Sequence, residues 1–218
     1  MPIRSTAMMD NRKPPEFSIE LSADRSSVKD VVKDGEAGNV TSNTRGEPGI
    51  LHTIFFHRFF TPIYPSSHDV LDLTLPYVSE DDIESLIETK TTALVRALDT
   101  ASTQQSPQYT SKAGRGSIVL QFLEKKRRKA GWFGVKGEEE TVWENWVISV
   151  TLTSARSETE AARNKTSMET SLQKAAMKVV TLVNAERGHI PPITTNETNP
   201  FPYQILVNPR TDGWTRPF

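Results

Sequence analysis

An α+β domain, with three main helices packed on one largely antiparallel sheet, is the fold class this sequence predicts. Two of the three segments with apolar residues at helical spacing open on a Ser-x-x-acid capping box. Four or five further segments alternate apolar and polar residues as half-buried strands do. The chain has 218 residues, 36% of them hydrophobic and 24% charged, which suits one medium domain with a real core.

Residues 1–16 are polar, carry Pro2, Pro14 and Pro15, and read as a disordered lead-in to a single domain over 17–209. Phe17, Ile19 and Leu21 alternate with Ser18 and Glu20 as a first strand. Ser26-Ser27 then opens a helical pattern at Val28, Val31 and Val32, which stops at Lys33 and resumes at Ile50. Without the fifteen polar residues Asp34–Pro48, the apolar positions fall at offsets 0, 3, 4, 7, 8, 11 and 12 from Val28, the core stripe of one helix. Residues 34–48 therefore read as an insertion into the first helix, either a looped-out segment or a translated intron, and sequencing the transcript separates the two.

Phe59–Ser67 reads as a connection, and Leu71, Leu73 and Leu75 as a strand closed by Pro76. Ser79-Glu80-Asp81-Asp82 begins a second helix whose stripe is Ile83, Leu86, Ile87, Leu94, Ala97 and Leu98. Residues 100–115 form a mobile loop. Ser117–Glu124 is apolar on both faces (Ile118, Leu120, Phe122 against Val119, Leu123) and so reads as a central strand. Residues 125–142 lead to a strand over Trp143–Leu152. Ser157-Glu158-Thr159-Glu160 starts a third helix with Ala161, Lys165, Met168, Leu172, Ala175, Val179, Leu182 and Val183 on its stripe, and Gly188 suits its C-terminal cap. A proline-rich stretch with one short strand at Tyr203–Val207 comes next, and 210–218 is a C-terminal tail.

The 26 basic and 27 acidic side chains leave a formal charge of -1, which excludes nucleic-acid binding by bulk charge. No cysteine is present, so disulfides, thiolate nucleophiles and Cys-ligated zinc are excluded. No run of apolar residues suffices for a membrane span, and the first sixteen residues lack the apolar centre of a secretory signal. The chain reads as soluble and intracellular, so the glycosylation triplets at Asn39, Asn164 and Asn196 carry little meaning.

Chemistry-bearing motifs are sparse. His52 and His57 lie about 140° apart around a helix axis and cannot chelate one metal from a shared face. With His68 and His189, they read as structural or solvated side chains. Gly114-Arg115-Gly116 lacks the third glycine and the following helix of a dinucleotide fingerprint. Asp69/Asp72 and Asp81/Asp82 border a strand and cap a helix. No catalytic residues, metal or cofactor are expected.

Residues 125–142 are different. The basic run Lys125, Lys126, Arg127, Arg128 and Lys129 leads into Trp132 and Phe133 between glycines, with Glu138-Glu139-Glu140 beyond them. Two adjacent rings between charge runs are poorly placed for the domain's own core. One reading folds the loop back, so that both rings pack on the sheet. The other presents Trp132 and Phe133 on a protruding finger that docks into a partner's pocket. The basic run is a candidate contact for an anionic surface: a membrane, with Trp132 at the headgroups, or less favourably a nucleic acid, because three glutamates cancel half of six positive charges.

Five blocks in this order resemble the autophagy-related protein 101 family. They are Ile50–Arg58, Val119–Lys126, Trp132-Phe133, Trp143-Glu144-Asn145-Trp146 and His189–Thr194. Asn199–Ile205 is similar to the fungal form. The resemblance spans Phe17 to about Pro209, apart from 34–48 and the polar loop after Asp99. It implies a HORMA-like domain and a non-enzymatic scaffold of the autophagy-initiation kinase complex. That scaffold would pair with, and protect, the HORMA domain of autophagy-related protein 13. It further implies recruitment of downstream autophagy factors to the phagophore assembly site through Trp132 and Phe133, in the cytoplasm. Membrane contact is secondary, and no nucleic acid is expected.

Overall fold

A computed structural model describes residues 13–24, 27–32, 49–64, 66–70, 73–103, 114–127, 138–194 and 198–209. In chain order these give β1 (Glu16–Asp24), α1 (Val28–Val32), α2 (Ile50–Arg58), β2 (Ser66–Val70), β3 (Leu73–Tyr77), α3 (Asp81–Thr103), β4 (Arg115–Arg127), β5 (Glu138–Thr153), α4 (Glu158–Ala185) and β6 (Tyr203–Val207). The class is α+β, as the sequence predicts.

The main sheet has the order β1-β5-β4-β6. β4 pairs antiparallel with both β5 and β6, and β1 joins the other side of β5 in parallel, so the sheet is largely antiparallel with one parallel edge. Both-face apolarity in β4 predicts a central strand, and β4 lies between β5 and β6. Its inner side chains Ile118, Leu120 and Phe122 join Phe17, Ile19 and Leu21 of β1 and Trp146, Ile148 and Val150 of β5 in the core. On the other face the alternation of the pleat brings Asn145, Gln121 and Gln204 into one row. Gln121 Nε2 donates to Asn145 Oδ1 at 2.8 Å, and Gln204 Nε2 donates to Gln121 Oε1 at 2.7 Å. This amide ladder satisfies polar groups that burial would otherwise leave costly.

The helical pattern at 28–32 and 50–55 folds as two helices, α1 and α2, and its stripe positions Val28, Val31, Val32, Ile50, Leu51, Ile54 and Phe55 are buried. The insertion at 34–48 lies outside the described residues. α3 continues to Thr103 and β4 starts at Arg115, so both ends of the segment expected to be a loop are regular; 104–113 lies outside the described residues. The connection expected at Phe59–Ser67 contains the start of β2, which pairs with β3 as a separate ribbon. Pro76 sits inside β3 opposite Ser67, because in a two-stranded ribbon each strand has an unpaired edge that tolerates a missing N–H.

α4 begins as its capping box predicts: Ser157 Oγ accepts from the Glu160 N–H at 3.2 Å. Its buried stripe is Met168, Leu172, Ala175, Val179 and Val183, while Ala161 and Lys165 are exposed, because the first turns of α4 extend past the core. Gly188 does not cap it. The helix ends at Ala185, and the C-cap is Glu186, whose N–H donates to the Leu182 carbonyl at 2.8 Å.

Glycine matters where α3 crosses β4. A Cβ on Gly116 would come within 2.7 Å of Leu94 Cδ1 and 3.0 Å of Leu98 Cδ2, whereas one on Gly188 would meet nothing within 4 Å. Gly116→Val is expected to cost about 1–3 kcal/mol by overpacking, and Gly188→Ala to leave stability within about 0.5 kcal/mol. Urea midpoints of the two variants check this contrast.

Candidate functional site

The β4–β5 hairpin outlasts the sheet that supports it. β6 stops at Tyr203, opposite Phe122, and β1 starts at Glu16, opposite Asn145. Beyond that line, among the described residues, β4 and β5 continue alone for five pairs: Leu123↔Val142, Glu124↔Thr141, Lys125↔Glu140, Lys126↔Glu139 and Arg127↔Glu138. At the rise of an extended strand this is a two-stranded ribbon about 16 Å long. It leads to residues 128–137, so Trp132, Phe133, Arg128 and Lys129 lie outside the described residues. Lys125, Lys126 and Arg127 belong to the ribbon, at the outer end of β4.

A β-bulge marks its root. The register shifts between Phe122 and Leu123, with Phe122 opposite Glu144 and Leu123 opposite Val142, which leaves Trp143 as the extra residue of β5. A bulge sharpens the local twist and re-aims the strand beyond it. Here Trp143, Glu144 and Trp146 are all buried. The Trp143 ring lies 5.1 Å from Phe201, 5.6 Å from His189 and 5.8 Å from Phe122. The Leu123 N–H, just past the bulge, donates to the Pro202 carbonyl at 2.7 Å.

Glu144 is the centre of this root. Its side chain has no exposed surface and that of Arg58 only 3%. Arg58 Nε donates to both carboxylate oxygens at 2.9 Å, and Trp146 Nε1 donates to Oε1. His189 Nε2 lies 2.6 Å from Oε2 and serves as the donor, since an ionised carboxylate only accepts. Arg58 Nη2 also donates to the Glu186 carbonyl at 3.0 Å. The end of α4 is thus closed by an arginine from α2 rather than by a glycine. One buried anion ties α2, β5 and the segment after α4 together.

Each of the four histidines has a ring or hydrogen-bond neighbour. His52 stacks on Tyr77 at 4.4 Å, His68 lies 4.7 Å from the same ring, His57 packs edge-on to Phe56 and His189 donates to Glu144. Among the described residues no group of three or more His, Cys, Asp or Glu could hold a metal. No helix among them is long and apolar enough to cross a membrane. Sequence reading missed the Glu144 cluster. Its available signal was a glutamate set between two tryptophans, in step with the apolar positions Trp146, Ile148 and Val150.

Comparison with known proteins agrees with the resemblance. The family described as Autophagy-related protein 101 matches residues 20–197. Autophagy-related protein 101 of Schizosaccharomyces pombe is 26% identical over 166 residues, covering 76% of this chain and 79% of the relative. That of Arabidopsis thaliana is 25% identical over 184 residues, covering 75% and 80%.

The root of the ribbon can be tested by stability and by pH. Arg58→Met leaves a buried carboxylate without its cation and is expected to cost about 3–5 kcal/mol, whereas Arg58→Met with Glu144→Met recovers most of that loss; a denaturation double-mutant cycle measures it. Burial, and then the neighbouring Arg58 charge, hold His57 below its ordinary pKa of 6.5. The unfolded chain therefore takes up this proton first, and His57 removes stability as pH falls through 6.5 toward its lower folded pKa. His57→Gln is expected to flatten that part of a stability–pH curve.

Proposed function

We propose, starting from the fact that this chain belongs to the autophagy-related protein 101 family, that it is a non-enzymatic scaffold of the autophagy-initiation kinase complex. The α+β fold is consistent with a HORMA-like domain, and an autophagy-related role comes with the family. In the finer reading the chain forms a heterodimer with the HORMA domain of autophagy-related protein 13 and stabilises it. Trp132 and Phe133 then recruit downstream factors to the phagophore assembly site, in the cytoplasm.

The observation that supports the finger is the unsupported ribbon. A hairpin that leaves both flanking strands behind carries its tip away from the sheet, where aromatic side chains are available to another protein's pocket. Residues 17–209 act as one domain in this reading, which includes the insertion 34–48 and the finger segment 125–142. Membrane contact through Lys125–Lys129 ranks second, since Lys125, Lys126 and Arg127 stand opposite glutamates.

Trp132→Ala with Phe133→Ala is expected to leave the melting temperature and the partner-bound fraction unchanged. Recruitment should weaken by at least about thirtyfold, the loss of two hot-spot anchors. A double variant that melts markedly earlier would move the rings into the core and end the finger reading. Co-expression with the partner HORMA domain is expected to give one co-eluting 1:1 peak on size exclusion, and separate elution would remove the pairing.

A further inference from the structure

We infer that the outer β4–β5 ribbon is held straight by a ladder of opposite charges, in which Lys125, Lys126, Glu139 and Glu140 are positioning residues for the tip rather than contacts for an anionic surface. What the ribbon carries rests on the finger reading above; the ladder itself rests on register alone.

A two-stranded ribbon without flanking strands is marginal in water. This one has a single apolar cross-strand pair, Leu123 with Val142, directly at the bulge. The four pairs beyond it are polar. The remaining source of order is side chains facing each other across the ladder. Lys125 is in register with Glu140, Lys126 with Glu139 and Arg127 with Glu138. Lys126 Nζ is also 3.2 Å from Glu124 Oε2, which places this lysine between carboxylates along and across the ribbon. Lys125 and Glu139 are both engaged by neighbours.

The sequence shows two charge runs eight residues apart, 125–129 and 138–140; the fold brings 125–127 into register with 138–140. The three cations of the described ribbon share it with four glutamates, which weakens the attraction that these three offer an anionic headgroup. Sliding β4 by one residue would turn each of these side chains to the opposite face, so the charge pattern also specifies the register at the point where the chain leaves the sheet.

Charge reversal and charge exchange in the full-length chain test this. Lys125→Glu, Lys126→Glu and Arg127→Glu together put like charges opposite one another. Amide exchange over Leu123–Lys126 and Glu139–Val142 is expected to speed up about tenfold, with Ile118 and Ile148 in the sheet unchanged. Adding Glu138→Lys, Glu139→Lys and Glu140→Lys restores opposite pairing and is expected to bring protection back to within about twofold of the parent. The single exchange Lys126→Glu with Glu139→Lys should behave like the parent and serves if the triple reversal folds poorly. Because the chain has no cysteine, a spin label on Gly134→Cys reports the tip alone; its spectrum should sharpen on reversal and broaden again on exchange.

Unchanged exchange in the reversed chain, or no rescue in the exchanged one, overturns the ladder. Binding of the parent, but not of the exchanged chain, to phosphatidylserine vesicles would also overturn it, by showing that the cations contact the surface directly. Trp132→Ala with Phe133→Ala should leave ribbon exchange at the parent rate. Failure of the finger and failure of the ladder are therefore read separately.

Discussion

A single carboxylate, Glu144, organises the junction between the sheet, the helices and the ribbon. A charge removed from water is tolerated only when it is paired and its lone pairs are filled, and here three donors from three parts of the chain fill them: Arg58 of α2, Trp146 of β5 itself and His189 after α4. Such a group contributes little net stability compared with an apolar replacement of the same shape. In the observed arrangement of α2 and the 186–189 segment, Arg58 and His189 both reach the anion. The same arginine closes α4 through the Glu186 carbonyl, so the end of the longest helix depends on the same site.

The bulge at Trp143 connects this cluster to the ribbon. Without the extra residue, strict alternation would place Trp143 on the face opposite Glu144 and Trp146; with it, all three are buried at the root of the ribbon. Trp143 packs on Phe122, Phe201 and His189, anchoring the ribbon to the C-terminal segment and to the α4 end at once. Rigid support of this kind suits the docking role proposed for Trp132 and Phe133, because a loosely held anchor loses binding energy to the cost of ordering it. In this family member the buried ion cluster and the exposed charge ladder are inner and outer parts of one support.

Much of the fold was legible. Both-face apolarity marked β4 as central, alternation marked β1, β5 and β6, and Ser157 with Glu160 marked the start of α4, since these signals depend on residues close in sequence. β2 was not legible, because Ser-Ser-His-Asp-Val has little apolar alternation and pairs only through the ribbon it makes with β3. Gly188 looked like a cap because glycine after a helix usually is one, but the orphan Glu186 carbonyl found the Arg58 side chain, 128 positions away in sequence. Of the candidate site, the basic run was visible as a charge pattern and the two rings as a composition anomaly. The glutamates opposite the basic run were visible too, but as a partial cancellation of charge rather than as its cross-strand partners.

Local chemistry in the chain determined which segments are helices and strands, which faces turn inward, and that residues 125–142 combine two charge runs with two adjacent rings; ordered motifs determined the family. The tertiary structure alone decided that a glutamate between two tryptophans is buried, that an arginine serves as a helix cap, and that two charge runs of opposite sign face each other. The reason is physical. Propensity and periodicity act over a few residues and can be read in one dimension, whereas the cost of a buried charge and the partner of an exposed one are set by whatever long-range register brings within a few ångströms of them.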